Sequence, residues 1–286
     1  MNTTSDRSGA PDERHERDGV HPETDALMTL ASWVRQVREY HNLTRLQGAQ
    51  TTGISYDSLK KIEYGTLHPS RRALQLLIDG YRLDAAQARM TWDLWLPPVQ
   101  LPSVAELRDR TATFDRLHML HQLSGNGMAL VFLDPAWNIL VATHTFYDML
   151  PDTGLHPESN VARWALPPAP APSPAEPLLA DPVGEGRWLV GMLRGTIARY
   201  RTSPEVIRLY HQLSLNPLFT HHMNTSIDVA YGRDEQRPLR LRCPTAREPN
   251  AFTLQTTAIS DIPEIRGFLA WRTQDPHLQP PDLTGA

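Results

Sequence analysis

The chain has 286 residues, with 28 Lys and Arg against 32 Asp and Glu. A formal net charge of -4 excludes a protein that coats nucleic acid over its whole surface, and the length leaves room for two domains. Hydrophobic residues make up 40%, enough for packed cores, yet no uninterrupted apolar run approaches the roughly 20 residues of a membrane span.

Residues 1–28 hold three Arg against seven acids and lack the apolar centre of a secretory signal. They read as a disordered tail, and with one cysteine, Cys243, the expectation is a cytoplasmic protein. From 30 to 41, Leu30, Trp33, Val34 and Val37 recur at helical spacing, with Arg35, Arg38 and Glu39 between them; this is a first amphipathic helix. Asn42 ends it. Thr44 can cap a short second helix over 44–52, with Leu46 and Ala49 on its packed face, and Gly53 then turns the chain. Ser55 caps a helix that Gly65 stops, Leu59 and Ile62 facing inward and Tyr56, Asp57, Lys60 and Lys61 outward. Pro69-Ser70 starts a fourth helix over 71–81, burying Leu74, Leu77 and Ile78, and Asp84 caps a fifth through Leu96.

Five short helices with one tight glycine turn predict a mainly α helix-turn-helix domain over 29–96. This is also the only positive segment, with nine Lys and Arg against six acids; residues 97–286 hold sixteen against nineteen. The adjacent ammonium groups of Lys60 and Lys61 suit phosphate or a guanine edge, although two lysines alone describe a solvated face equally well. Asp57 either accepts from cytosine N4 or caps its own helix, and capping is favoured slightly. Glu63 reads as structural.

Leu43-Thr44, Gly53-Ile54-Ser55, Leu59, Ile62-Glu63, Gly65, Pro69-Ser70 and Leu74 resemble, in order and spacing, the lambda-repressor-like (xenobiotic-response-element type) helix-turn-helix domains. The resemblance makes Tyr56, Asp57, Lys60 and Lys61 the base readers. It sets Thr44 and Arg45 at the start of the second helix and Ser55 at the cap of the reading helix, with His68, Ser70 and Arg71 beside the DNA backbone. Gly48 and Thr52 depart from it, standing where leucine is usual; glycine costs about 1 kcal/mol in a helix interior.

Pro97, Pro98 and Pro102 predict a linker over 97–110. Beyond it, Phe114, Leu117, Leu120, His121 and Leu123 give a helix, and Gly125-Asn126-Gly127 turns into an apolar strand ending at Leu133. Asp134-Pro135-Ala136-Trp137-Asn138 turns back into a strand over 139–142, a hairpin, followed by a helix over 145–150. The proline-rich stretch 164–182 predicts a loop with local polyproline character. Helices over 188–200 and 204–215 follow. Leu239, Leu241 and Cys243 then alternate with Arg240 and Arg242 as a half-buried strand, and 251–259 and 266–272 read as two more. The expectation is an α+β domain over 111–273 with an antiparallel sheet, and a tail over 274–286.

Catalytic signals are weak. His118 and His121, three apart on a helix, and His221-His222 are not accompanied by Cys-x-x-Cys or His-Glu-x-x-His. Neither Gly-x-Ser-x-Gly nor a glycine-rich phosphate loop is present. The reading is therefore no metal, no cofactor and no enzyme. Trp137, Phe146, Tyr147, Trp188, Tyr210, Phe219, Phe252 and Trp271 supply large apolar faces that line either a core or a ligand cavity, with Asn138 or Arg163 as polar anchors.

Leu117 to Leu123, the 134–138 turn, Asn160 with Arg163, Leu193 to Arg201, Pro204-Glu205, Asn216-Pro217-Leu218-Phe219 and the terminal strands look like the MmyB-type regulators of actinobacteria. That resemblance implies a PAS-like ligand-binding domain after the helix-turn-helix, a homodimer on double-stranded operator DNA in the nucleoid, and a lipophilic effector such as a fatty acid. A DNA-binding protein-interaction module, antitoxin-like or scaffold, is the alternative.

Overall fold

Thr29 starts the first helix by a reciprocal cap: its hydroxyl accepts from the Ser32 amide at 3.0 Å, and the Ser32 hydroxyl accepts from the Thr29 amide at 3.0 Å. The computed structural model describes residues 27–154, 159–234, 237–243 and 247–273. Residues 1–26 and 274–286 of the two expected tails, and Pro244, lie outside them. Leu27 and Met28, assigned by sequence to the tail, are instead buried against the helical core, because both are large apolar side chains directly before a capped helix.

Five helices follow, α1 (Leu30–Tyr40), α2 (Arg45–Thr52), α3 (Tyr56–Glu63), α4 (Arg71–Gly80) and α5 (Ala85–Trp95). Thr44, Ser55, Ser70 and Asp84 cap the last four, each accepting a backbone N–H of the first turn. Gly53 between α2 and α3 has φ 70° and Gly65 has φ 71°, a left-handed conformation that glycine enters without steric cost. Helix α3 closes at Glu63 with Tyr64 as its cap, two residues before Gly65. Leu46 is corrected: it is 58% exposed, and Gly48, Ala49 and Thr52 form the buried face of α2.

The expected linker is not one. Residues 97–103 run along the second half of the chain, the Val99 amide donating to the Arg199 carbonyl at 3.0 Å and the Leu101 amide to the Ser203 hydroxyl at 3.0 Å. Residues Val104–Thr111 then form α6, with Leu107 fully buried. After α7 (Phe114–Gly125) come β1 (Ala129–Leu133), β2 (Ile139–Ala142), α8 (His144–Met149), α9 (Val161–Ala165), α10 (Pro182–Tyr200), α11 (Pro204–Leu213), α12 (Pro217–Thr225), β3 (Leu239–Leu241), β4 (Asn250–Ile259) and β5 (Ile262–Arg272). The proline-rich stretch is thus shorter than its composition predicts. Trp164 and Ala165 are helical, and Pro182 opens α10, where a missing N–H costs nothing.

The strands form one antiparallel sheet in the order β2-β1-β5-β4-β3. Both faces are covered, which accounts for the unbroken apolar run of β1. Leu130 and Phe132 pack with Leu107, Leu120 and Leu123 of α6 and α7, whereas Ala129, Val131 and Leu133 pack with α8, α9 and α10. The fold is α+β, with a helical N-terminal region. No helix among the described residues is long and apolar enough to cross a membrane.

The helical region is docked on α10. Arg199 donates to Asp93 Oδ1 at 3.1 Å, the Tyr231 hydroxyl to Asp93 Oδ2 at 3.1 Å, and Arg201 to the Leu96 carbonyl at 2.7 Å. Gln36 and Gln87 add bonds to the carbonyls of Met223, Ser226 and Ile227. The chain passing from Asp228 to Tyr231 fits closely because α10 presents Gly191 and Gly195 there; a Cβ at Gly195 would stand 2.9 Å from the Tyr231 ring.

Candidate functional site

Two places bring together the residues singled out above, the outer face of α3 and an interior cavity. On α3, Leu59, Ile62 and Glu63 are buried, and Tyr56, Asp57, Lys60 and Lys61 are exposed. Glu63 holds this arrangement. Its carboxylate, fully buried, accepts from Arg38 Nε at 2.6 Å and from Arg45 Nε at 2.9 Å, tying α1, α2 and α3 together. Its hydrogen bonds raise the pKa of both guanidinium groups, which therefore stay charged.

The remaining residues of the expected DNA set divide. Thr44, Ser55 and Ser70 spend their hydroxyls on helix caps at the exposed rim. Arg45, besides its bond to Glu63, lies 4.9 Å over the ring of Tyr64. His68 stacks on Trp95 at 5.6 Å, and Arg71 lies 5.6 Å over Trp92. All three are partly committed, which fixes where their free edges stand. Capping by Asp57 is corrected: Ser55 is the cap, and Asp57 sits exposed in the first turn of α3, where its charge favours the helix dipole.

The cavity measures about 440 Å³, within the range of roughly 300–1,000 Å³ usual for small-molecule sites. Its floor is the small pair Ala129 and Ala270, opposite one another on β1 and β5. Trp137, Phe146, Trp164, Trp188, Leu189 and Phe268 form much of its wall. The charged residues of the lining are the exposed Glu176 and one ion pair. Arg233 donates to both oxygens of Glu185 at 2.6 Å, to the Arg237 carbonyl at 2.7 Å and to the Pro238 carbonyl at 3.2 Å, and it stacks under Trp188 at 5.1 Å. Four of its five N–H groups are engaged within the protein. The cavity therefore favours an apolar guest.

Of the expected ligand residues, Trp137, Phe146 and Trp188 line this cavity and the others do not. Asn138 closes a turn, its Nδ2 donating to Asp134 Oδ2 at 2.8 Å and its Oδ1 accepting from Asn160 at 2.9 Å. Arg163 borders a separate recess near Glu205 and Arg208. Tyr210 packs edge-on against Phe219, itself a core residue, and Phe252 pairs with Leu239 across the β3–β4 edge. Trp164, Glu185 and Arg233 were missed; Trp164, an aromatic beside the prolines, was the one with a legible signal.

Burial pushes the Asp134 carboxyl up to about 6, against the bonds from Asn138 that lower it. The histidines are dispersed: His118 stacks on Phe114, and His221 faces His222. Among the described residues no group of three His, Cys, Asp or Glu side chains is placed to hold a metal ion. No protein-family model matches the chain, and no curated protein matches it.

Proposed function

We propose that the chain is a sequence-specific DNA-binding transcription regulator, a homodimer that reads its operator with α3 and is controlled by a lipophilic molecule in the 440 Å³ cavity. The observation that carries this reading is the division of α3: a buried face anchored by Leu59, Ile62 and the Glu63 ion pairs, and an exposed face bearing Tyr56, Lys60 and Lys61. It lies behind a left-handed glycine turn, in a helical region, residues 29–96, that holds nine Lys and Arg against six acids. A helix so held can enter a major groove. Two copies about 34 Å apart would meet successive turns of the duplex.

The second half acts as the sensor, a PAS-like domain in this reading. Its support is a five-stranded antiparallel sheet with helices between β2 and β3, enclosing an apolar cavity. Helix α10 connects the two functions, since Gly186 and Leu189 line the cavity while Arg199 and Arg201 hold Asp93 and Leu96 at the end of α5. A guest that prefers one position of α10 biases the spacing of the two reading helices.

Selection from a random duplex library with the full chain tests the reading, followed by mass spectrometry of the denatured protein for a co-purified lipophile such as a fatty acid. Enrichment of an inverted repeat, with protection of its half-sites in a footprint, is the expected result. A library that stays random after repeated rounds overturns the DNA assignment.

A further inference from the structure

A second cavity, of about 320 Å³, lies between α5, α10 and β5. Leu133, Trp137 and Phe268 line both cavities and form the wall between them. The second one is charged. Arg89, Arg199, Arg266, Asp93, Asp134 and Glu264 all contribute to its lining, and half of these charges are answered from within the protein. Asp93 accepts from Arg199 and Tyr231, and Asp134 accepts from Asn138 through both oxygens.

Three groups lack an opposite charge. Oε2 of Glu264 is buried with no hydrogen-bond partner among the described residues. Arg89 and Arg266 lie over the same Tyr231 ring, at 3.9 and 5.9 Å; Arg266 donates to the Tyr231 carbonyl at 2.9 Å, and neither forms an ion pair with a carboxylate among the described residues. Burial, and then repulsion from Arg89, push the Arg266 pKa down. Arg89 is exposed and Arg266 part-buried; a part-buried guanidinium beside a like charge and an orphaned carboxylate oxygen each cost stability until a complement arrives.

The complement must carry both signs. A simple anion would satisfy the guanidinium pair and leave Glu264 facing a like charge; a simple cation would do the reverse. A zwitterion satisfies all three and adds no net charge to a part-buried site. Carboxylate against guanidinium is also the geometry arginine serves best. The aromatic wall offers an apolar surface to whatever lies beyond the charged ends.

We propose that this cavity is a second ligand site for a free α-amino acid with an apolar side chain. Its carboxylate bridges Arg89 and Arg266, its ammonium donates to Glu264, and its side chain rests on Trp137 and Phe268. Because Arg89 belongs to α5 and Glu264 and Arg266 to the sheet, the amino acid clamps the helical region to the rest of the fold. The site depends on this seam alone and stands or falls independently of DNA binding.

Titration calorimetry of the full chain with leucine and phenylalanine tests it, with N-acetyl-leucine and leucinamide as probes lacking the ammonium and the carboxylate. Saturable binding of at least one amino acid is expected. Each blocked form should lose about tenfold or more in affinity, as should Arg89→Ala and Glu264→Gln, the loss appropriate to a charge-assisted hydrogen bond. Ala270→Leu, which fills the first cavity only, should leave the affinity unchanged. Absence of saturable heat with both amino acids overturns the proposal, as does unchanged affinity in both seam variants. Loss confined to Ala270→Leu would put the amino acid in the first cavity and overturns it equally.

Discussion

Gly48 on α2 and Tyr81 at the end of α4 fit against each other: a Cβ at residue 48 would stand 2.8 Å from the Tyr81 hydroxyl and 3.0 Å from Arg38 Cδ. The neighbouring pair repeats the arrangement, since a Cβ at Gly80 would stand 2.6 Å from Thr52 Cα. Gly48 and Thr52 are therefore matched to closely approaching partners at the end of α4. Helix α2 is braced by proximity of backbones in place of leucine packing.

Gly48→Ala should destabilise the chain by up to about 2 kcal/mol, because overpacking costs about 1–3 kcal/mol and the gain in helix propensity offsets about 1. Tyr81→Phe should be close to neutral alone, its hydroxyl being buried without a partner among the described residues, and should recover part of the alanine loss. Urea denaturation of the two single variants and the double variant measures both effects. Equal losses from Gly48→Ala in the two backgrounds would show that the hydroxyl contact does not set the cost.

Glu63→Gln should cost about 3–5 kcal/mol, since it leaves Arg38 and Arg45 against a neutral group in a buried site. A loss below 1 kcal/mol in chemical denaturation would contradict the bracing role given to this residue.

Asp134 makes stability depend on pH in a defined direction. Its folded pKa of about 6 lies above its ordinary value of 3.8, so the folded state binds the extra proton between those values. Stability falls as pH rises from about 4 to about 6 and is then constant, by up to about 3 kcal/mol at roughly 1.4 kcal/mol per pKa unit. In Asp134→Asn this component is absent. Denaturation midpoints of the two proteins at intervals between pH 4 and pH 8 should diverge with the wild type weakening relative to the variant; parallel curves would contradict the assignment.

Ala270→Leu places a larger side chain on the floor of the first cavity. Any lipophile that co-purifies with the wild type should be missing from this variant in mass spectrometry of the denatured protein. Retention at equal stoichiometry would place that molecule elsewhere.

Much of the fold was legible because its signals are local. Thr44, Ser55, Ser70 and Asp84 each announce a helix start within four residues, and the alternation of Leu239, Arg240 and Leu241 announces a strand whose middle residue is exposed. Helix α6 has such a start in Ser103, which accepts from the Glu106 amide, but little apolar periodicity behind it, because only Leu107 and Thr111 in Val104–Thr111 are buried and the rest is mostly polar or charged. Helix α12 was hidden in the same way, although Asn216 before Pro217 is a capping pattern. The candidate cavity was the least legible. Its lining comes from strands, helices and the proline loop together, and its one ion pair, Glu185 with Arg233, joins residues 48 apart. Periodicity within one element carries no information about such convergence.

The salt dependence of DNA affinity bears most directly on α3 as the reading helix. With a site recovered by selection, the slope of log affinity against log salt should decrease by about one in whichever of Lys60→Ala and Lys61→Ala has lost a phosphate contact, and affinity should weaken in both. Unchanged slope and affinity in both variants, with their folding intact by circular dichroism, would contradict the placement of α3 in the groove and with it the proposed function.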